Sequence, residues 1–527
     1  MIRGISSFAR CHLANTDENW RIHTLIFFGL TLLTRLPFRT HLLFDHDSVQ
    51  FALGLSDYDV YLNQPHPPGY FLYVCTVRLI DFALHDANTS LVLVSVVASA
   101  LAVGIIYNLG SAVFDRETGW WAALLATTSP LFWFFGEVAL SYPVATLFSS
   151  LVALSAWRVF NYEDRWAYPL SILFGIAVGF RQDLGVFLGP LWLLALSRCK
   201  PRVMVFAVGL AVITIVLWFV PMLIATGGAA RYFAANSELW QYNNEPMTIW
   251  YAPLSTRIDT LLTLIGVLSY GSGLGTIFLL FGAYCWVRSS GWRTIFRDKL
   301  LFFFAWIAPA VLFFIVVFIP PYKYSYGLVL LPAFWVLTPV AVRQVFAEIR
   351  TLPPAITARV RQSQLFILLS VIAISNVVVF CFSEAGFSIA ALQKHEQILS
   401  RIFTTIKQNF PSDSTLILGR QRSTFSGFRH VQYYLPEYRV YLVDQQVNVR
   451  GEKWYAFGAW KGKTLLSNRI RVPANVDRIV YLADPYFPES NQDLKLMNLH
   501  AVPVYENYAI YFQEVPASNH QKIDSFP

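Results

Sequence analysis

Four acidic residues lie close together in one short polar stretch of the sequence, where they could act as general bases or as metal ligands. Asp45 and Asp47 form a D-x-D pair, and Asp57 and Asp59 follow further along the same stretch. A carboxylate beside a reacting hydroxyl can accept its proton, which is the chemistry of a general base. A D-x-D pair alone is also typical of a solvated loop or a calcium-binding loop, so other residues must join it before it indicates catalysis.

Isolated cations and polar residues stand at the ends of apolar segments elsewhere in the chain. They are Glu137, Tyr142, Arg181, Asp183, Arg231 and Lys323. Arginine can grip phosphate oxygens through two parallel hydrogen bonds, and lysine acts as a point charge. Each cation taken singly is equally explained as a residue that extends from a membrane interface toward water. Taken together, the acids and the cations suit a substrate with an anionic head and a lipid tail.

The elements that must position these residues are membrane helices. Charged residues make up 14% of the chain, whereas a soluble protein carries about 25%. The uncharged runs 90–114, 203–230, 260–287 and 300–322 each exceed the roughly 20 residues that cross a bilayer as a helix. The net charge of +8 fits Lys and Arg that flank membrane helices, so we expect no nucleic-acid partner.

Clusters of cations predict which loops lie in the cytoplasm. The clusters fall in residues 198–202, 288–299 and 343–361, with two apolar runs between each and the next. Cytoplasmic loops carry an excess of Lys and Arg, so all three clusters lie on the cytoplasmic side, and Arg3 and Arg10 place the N-terminus there too. An even number of spans must then precede residue 198.

Seven candidate segments compete for that even number. They are 20–38, 69–84, 90–114, 119–136, 138–160, 166–180 and 184–197. We interpret 69–84 as an interfacial helix, because it is short and contains Arg78 and Asp81. The alternative is that 166–197 is one bent helix, but its length of about 48 Å is too long for one crossing. About eleven spans result, with a cytoplasmic N-terminus.

This topology collects the polar residues on one face. The predicted outer loops are 39–89, 137–142, 181–183, 226–257 and 320–324. We expect a division into 1–384, the membrane domain, and 385–527, a small extracytoplasmic α/β domain with a role in acceptor recognition or in shielding a cavity. Its predicted elements are helices at 395–408 and 428–435, strands at 415–418, 440–443 and 478–482, and a hairpin at 501–512.

Two motifs resemble a known family. The run Asp47-Ser48-Val49-Gln50-Phe51-Ala52, followed by His66-Pro67-Pro68, resembles the first extracytoplasmic loop of the GT-C glycosyltransferases. The protein O-mannosyltransferase and aminoarabinose-transferase branch is the most similar, over residues 20–345, and Gly179-Phe180-Arg181 looks like a turn where relatives place a cation. Relatives often have an acidic residue at the position that Ser48 occupies in this chain. The aminoarabinose branch has acidic residues at the positions of Pro65 and Tyr142.

The resemblance implies an α-helical polytopic GT-C-like membrane enzyme that moves a hexose or pentose from a polyprenyl or dolichyl phosphate to an acceptor hydroxyl, with inversion. Asp47 would be the base, with Asp45 as a second candidate, and Arg181, Lys323 and His66 would bind the donor phosphate. Glu137, Tyr142 and Asp183 are further cavity candidates. The acceptor, whether glycan, lipid or protein, and the need for a divalent metal stay open. The membrane would be a bacterial or archaeal plasma membrane or that of the endoplasmic reticulum.

Two other functions compete with this interpretation. A secondary transporter would have broken helices and ionisable residues near the middle of the membrane. In this chain the charges cluster at the ends of the outer loops, and the long apolar runs contain none. A structural or assembly protein of the membrane is the third alternative.

Overall fold

The computed structural model describes most of the chain. The described residues are 19–161, 163–288, 297–317, 323–348, 354–384, 386–420, 427–443, 446–447, 453–454, 456–467, 472–484, 494, 499–506 and 508–515. Residues 1–18 and 320–322, which carry the predicted cytoplasmic N-terminus and part of the last outer loop, lie outside the described residues, as do most of 288–299 and 349–353.

The membrane part is built of helices, as expected for apolar segments whose backbone groups must bond to one another in lipid. They are α1 (Trp20–Arg35), α2 (His46–Ser56), α3 (Phe71–Leu84), α4 (Ala87–Val113), α5 (Arg116–Thr128), α6 (Pro130–Phe135), α7 (Tyr142–Asn161), α8 (Ala167–Phe180), α9 (Asp183–Leu196), α10 (Pro201–Ala225), α11 (Ala229–Leu239), α12 (Leu254–Ser272), α13 (Gly275–Arg288), α14 (Arg297–Val316), α15 (Leu331–Glu348) and α16 (Pro354–Phe382).

Helix α4 is the centre of this part and packs against α1, α5 and α7. Small residues permit the close approach of α5. A Cβ atom on Gly110 would lie 2.8 Å from the Cα atom of Gly119, which is closer than side chains come. Close helix pairs in membranes use small residues in this way, because van der Waals packing drives their association.

Five of the described helices contain a stretch long and apolar enough to cross a bilayer, namely α4, α7, α10, α14 and α16. A sixth span results if the bent pair α12 and α13 counts as one. Helices α8 and α9 have 14 residues each, about 21 Å in length against a hydrocarbon core of about 30 Å. The chain is a polytopic helical membrane protein, and the count of about eleven spans and the interfacial position of 69–84 remain predictions.

The predicted break between residues 180 and 184 is confirmed. Helices α8 and α9 run antiparallel. The rings of Phe174 in α8 and Trp192 in α9, which lie on either side of the turn, stack with centroids 4.6 Å apart. The indole Nε1 of Trp192 also donates to the Ser171 hydroxyl at 2.9 Å. The alternative of one bent helix over 166–197 is therefore wrong.

Two segments that we took as continuous are interrupted. Segment 119–136 breaks at Ser129, whose hydroxyl accepts from the Phe132 amide, and Pro130 begins α6. Because proline favours the first turn of a helix, Pro130 starts α6, and α5 ends before it. The run 260–287 bends by 111° between α12 and α13. There Gly273 has a φ of +56°, and a Cβ atom on it would lie 2.0 Å from Oδ1 of Asn376.

Ion pairs join neighbouring segments at one end of the helices. We predict that this end lies on the cytoplasmic side. Arg198 pairs with Asp298 at 3.2 Å. Arg343 pairs with Asp115 at 2.6 Å and with Glu117 at 2.9 Å. Arg198 lies between α9 and α10, but Arg343 lies within α15 and α16 begins at Pro354, so most of the predicted loop 343–361 is helical. The side of the membrane on which these residues lie stays a prediction.

The C-terminal part is a small α/β structure. Helices α17 (Ile389–Asn409) and α18 (Phe428–Tyr434) accompany a sheet with the strand order β6-β5-β2-β1-β7-β9-β8. The strands are β1 (Thr415–Arg420), β2 (Arg439–Val443), β5 (Ala456–Trp460), β6 (Lys463–Ser467), β7 (Arg478–Tyr481), β8 (His500–Tyr505) and β9 (Tyr508–Glu514), and β3 (Gln446–Val447) pairs with β4 (Lys453–Trp454).

Both helices predicted in this part, its three strands and its closing hairpin are confirmed, although the first helix begins six residues earlier than predicted, at Ile389. Strand β1 lies parallel to β2 and to β7, and the other pairings are antiparallel. The pair β5 and β6 was not predicted. This part has its own hydrophobic core, separate from that of the membrane helices. The domain boundary at 384/385 stays a prediction.

We predict that Gly273→Ala destabilises the protein. A non-glycine residue at positive φ costs about 1–2 kcal/mol, and the overlap with Asn376 adds to this. Thermal unfolding of the detergent-solubilised protein, followed by tryptophan fluorescence, should begin several degrees lower. Gly209→Ala is the matched control, because a Cβ atom on Gly209 has no neighbour within 4 Å. Equal unfolding temperatures for the two variants would contradict the predicted strain and overlap at residue 273.

Candidate active site

The first outer loop presents Asp47 in the first turn of α2. Asp45 is the N-cap of this helix, and its side chain accepts from the Ser48 amide at 3.0 Å. The Ser48 hydroxyl in turn accepts from the Asp45 amide at 3.3 Å, which completes a capping box. The helix therefore begins at a fixed residue, and the positive end of its dipole faces the Asp47 carboxylate.

Asp47 lies between two groups that can carry positive charge. Its Oδ1 is 3.8 Å from Nδ1 of His66, and its Oδ2 is 3.8 Å from Nζ of Lys323. Burial raises the pKa of Asp47, but His66 and Lys323 outweigh burial and lower this pKa to about 2. The side chain remains 20% exposed, so an ionised carboxylate is accessible from outside the protein.

His66 is a neutral ring beside this carboxylate. Burial lowers its pKa below the ordinary value, and the opposing effect of Asp47 does not restore it. Its Nε2 lies 3.3 Å from the Tyr70 hydroxyl. Its Nδ1 is buried and makes no hydrogen bond within the described part of the chain, since 3.8 Å to Asp47 is too long for one.

Lys323 stands at the start of the short helical turn Tyr324–Val329, just before α15. Burial lowers the pKa of its ammonium group, but Asp47 and Asp45 outweigh burial and raise this pKa above its usual value. Lys323 therefore stays charged at neutral pH. Its Nζ forms the ion pair with the Asp47 carboxylate that links the last outer loop to the first.

Arg181 is held by its neighbours rather than open to solvent, and its side chain is 3% exposed. Its Nε and Nη2 atoms donate to the two carboxylate oxygens of Asp183 at 3.2 and 2.7 Å. Its Nη1 donates to the Ser141 hydroxyl at 2.8 Å, and its guanidinium lies 4.7 Å from the ring centre of Tyr142 and 5.4 Å from that of Tyr70. Burial opposes the charge, but Asp183 outweighs it and raises the pKa of Arg181.

The structure brings most of the predicted residues together. Tyr142 joins the group through Arg181 and through Tyr326, whose ring centre is 5.5 Å away. Sequence reasoning missed Tyr70, Ser141 and Tyr326. Tyr70 follows directly on His66-Pro67-Pro68-Gly69 and could have been included with that motif. No feature of the sequence marks Ser141.

Glu137 does not reach this group. Its Oε1 accepts from the indole of Trp133 at 2.7 Å, and its carboxyl faces the charge of Arg35. Burial raises the pKa of Glu137 well above its usual value. Its backbone carbonyl accepts from the amide of Thr40 at 2.9 Å and from the Thr40 hydroxyl at 3.1 Å. In this structure Glu137 anchors the beginning of the first outer loop.

Metal ligation has no ready site in the described residues. Among them, no group of three or more His, Cys, Asp or Glu side chains could hold a metal ion. Asp45 directs its carboxylate to the cap of α2 rather than toward a shared centre with Asp47.

We predict that Asp45 makes stability depend on pH. Burial and the charge of Asp47 raise its pKa from the usual 3.8 to about 7. The folded state therefore favours the protonated form, so this contribution is complete below about pH 4 and is lost as the pH rises through 7. The unfolding temperature of the wild type should fall by about 2–4 °C across this window. Asp45→Asn, which keeps a neutral cap, should not show this fall.

Asp57→Asn is the control for this measurement, because Asp57 is exposed and lies just past the end of α2. It should keep the pH dependence of the wild type. If Asp45→Asn kept the same pH dependence as well, Asp45 would not be its source.

Comparisons with known proteins find similarity in sequence over part of the chain and in fold over most of it. Residues 58–203 match the family model described as the protein O-mannosyl-transferase TMEM260 N-terminal domain. The match includes His66, Tyr142 and Arg181 but begins after Asp47. No protein of curated function matches the sequence.

Two solved structures share the fold over nearly the whole chain. ArnT from Cupriavidus metallidurans bound to undecaprenyl phosphate is 12% identical, with a TM-score of 0.55. The same protein in the apo state is 13% identical, with a TM-score of 0.53. Each comparison covers 94% of this chain and 98% of the other. The chain is thus a helical membrane protein that shares the fold of ArnT, and its residues 58–203 are similar to the N-terminal domain of a protein O-mannosyl-transferase.

Proposed function

We propose that the protein transfers a sugar from a polyprenyl or dolichyl phosphate to an acceptor hydroxyl on the extracytoplasmic face, with inversion at the anomeric carbon. The observation that carries this proposal is the accessible Asp47 carboxylate, placed between His66 and Lys323 at 3.8 Å each. Asp47 accepts the proton of the acceptor hydroxyl as its oxygen attacks the anomeric carbon. The bond from that carbon to the phosphate oxygen breaks on the opposite side.

One carboxylate suffices for this reaction. A glycosidase needs a second carboxyl group, because the leaving oxygen of its substrate must be protonated. A lipid phosphate leaves as an anion and needs no proton. It needs positive charge near the oxygen that departs, and Lys323 supplies that charge beside Asp47.

Donor binding raises the basicity of Asp47. Without a donor, His66 and Lys323 hold its pKa at about 2, which makes it a weak base. A bound phosphate adds negative charge and competes for the ammonium group of Lys323. Both changes stabilise the protonated carboxyl group, so the pKa of Asp47 rises. The base therefore becomes effective when the donor is in place.

Arg181 contributes in a different way from Lys323. Its pairing with Asp183 leaves little net charge, and its donors are directed to Asp183 and Ser141. It fixes the turn between α8 and α9 and supports the rings of Tyr70 and Tyr142 at the site. Rings of this kind offer apolar faces to a sugar.

A lipid carrier suits the surroundings of the site. Helix α10 presents large apolar side chains outward, among them Leu217 and Ile224, which are more than two-thirds exposed. Such a surface is stable in contact with lipid. The related ArnT structure is described as bound to undecaprenyl phosphate. The description of the matched family as O-mannosyl transferases favours a hexose, transferred to a hydroxyl of a protein, a lipid or a glycan.

We predict that Asp47→Asn lowers transfer at least a hundredfold, because an amide cannot take the proton of the acceptor. The measurement is sugar transfer from lipid-phosphate donors in membranes that contain the variant, with correct insertion confirmed. Asp57→Asn, on the same loop but exposed, should retain the wild-type rate. Near-normal turnover by Asp47→Asn would remove the basis of the proposed mechanism.

Lys323→Met should weaken the binding of undecaprenyl phosphate about tenfold, since it removes the cation that faces Asp47. Binding of the lipid phosphate to the purified protein, by competition or calorimetry, measures this without any turnover. Arg181→Ala should have a smaller effect on binding and a larger one on turnover, because it releases the turn at Asp183. A larger binding loss in Arg181→Ala than in Lys323→Met would reverse these roles.

A further inference from the structure

Helices α17 and α18 of the C-terminal part lie against the loop that carries Asp47 and His66. They contact both of its arms, which we define as the leading arm, residues 41–46, and the trailing arm, residues 62–64. The leading arm ends at His46, the first residue of α2, and the trailing arm precedes His66. Contacts to these arms therefore act on both sides of the candidate base.

The backbone of the leading arm is bound by side chains of the C-terminal part. The amides of His41 and Leu42 both donate to Oε1 of Glu396, the latter at 2.9 Å. The amide of Leu43 donates to the Tyr434 hydroxyl at 2.8 Å. These three amides lie outside helices and strands, so side chains from more than 350 positions away satisfy them.

The end of the leading arm is held by two aromatic contacts. His395 Nε2 lies 2.6 Å from the carbonyl oxygen of Phe44, to which it donates, and their rings are 4.6 Å apart. The ring of His46 faces that of Phe428 with centroids 5.9 Å apart. His46 is the residue next to Asp47, so this contact lies directly beside the candidate base.

The trailing arm is held by Arg429 and Thr464. The guanidinium of Arg429 is fully buried, and its Nη2 donates to the carbonyl oxygen of Leu62 at 2.5 Å. Its Nη1 donates to Gln432 at 2.8 Å, which fixes it within α18. The hydroxyl of Thr464 donates to the side-chain carbonyl of Gln64, two residues before His66.

We propose that the C-terminal part acts as a clamp that sets the distance between Asp47 and His66, with Glu396, His395, Tyr434 and Arg429 as positioning residues. This inference rests on the proposed function. A loop held at one arm only would keep the freedom to move α2 relative to His66. A displacement of about 1 Å at a reacting centre can lower a rate about a hundredfold, so binding both arms has a direct effect on turnover.

The first test measures hydrogen exchange of the full-length protein in lipid nanodiscs. Glu396→Ala should speed exchange in the peptide that covers residues 41–46 about fivefold, as expected when an amide loses a hydrogen bond. Tyr434→Phe should do the same at Leu43, while its ring still stacks on Phe403. Glu396→Gln keeps an acceptor oxygen and should restore slow exchange. Lys407→Ala, which removes a surface pair with Glu437, is the control.

The second test measures transfer kinetics with the same variants. Glu396→Ala and Tyr434→Phe should lower kcat about tenfold and change KM for the donor less than about twofold, since Lys323 is untouched. Glu396→Gln should recover kcat. Unchanged exchange in residues 41–46 overturns the clamp, and so does faster exchange with an unaltered kcat. Normal turnover of Asp47→Asn would instead overturn the proposed function, while the exchange result still decides whether the clamp exists.

Discussion

The candidate site depends on the electrostatic interactions of the ionised Asp47 carboxylate. A carboxylate with most of its surface removed from water loses hydration, and the loss must be offset by nearby positive charge. Lys323 and the N-terminus of α2 meet this requirement. They come from separate segments of the chain, so the first and last outer loops have to converge. The helix ends that carry these groups must therefore lie close to one another.

Arg181 shows the same constraint in another form. A buried arginine needs an opposite charge, and its two-point bond to Asp183 cancels most of the charge of Arg181. The turn between α8 and α9 must therefore present both residues, and Gln182 separates them. The antiparallel helix pair and the electrostatic balance of the site thus rest on the same three residues.

The sequence predicted the local elements and the gathering of the polar residues, but not the contacts that depend on distant helices. The alternation of apolar segments in the C-terminal part predicted its helices and its hairpin. The positions of the cationic loops predicted that Asp47, Arg181 and Lys323 lie on one face. The bend at Gly273 was missed because glycine is common in membrane helices and the overlap with Asn376 depends on a distant helix. Glu137 was placed with the cavity because nothing in the sequence reveals that Trp133 and Arg35 surround it.

The rigidity of the clamp follows from the way α17 joins the two hydrophobic cores. Leu392 packs with the membrane helices, and Ile398 packs with the C-terminal sheet, so one helix belongs to both cores. His395 and Glu396 lie between these two positions on the same helix. A helix fixed at both ends by buried side chains cannot rotate without breaking one of the cores. His395 and Glu396, two of the residues that hold the leading arm, therefore lie between two buried anchors of this helix.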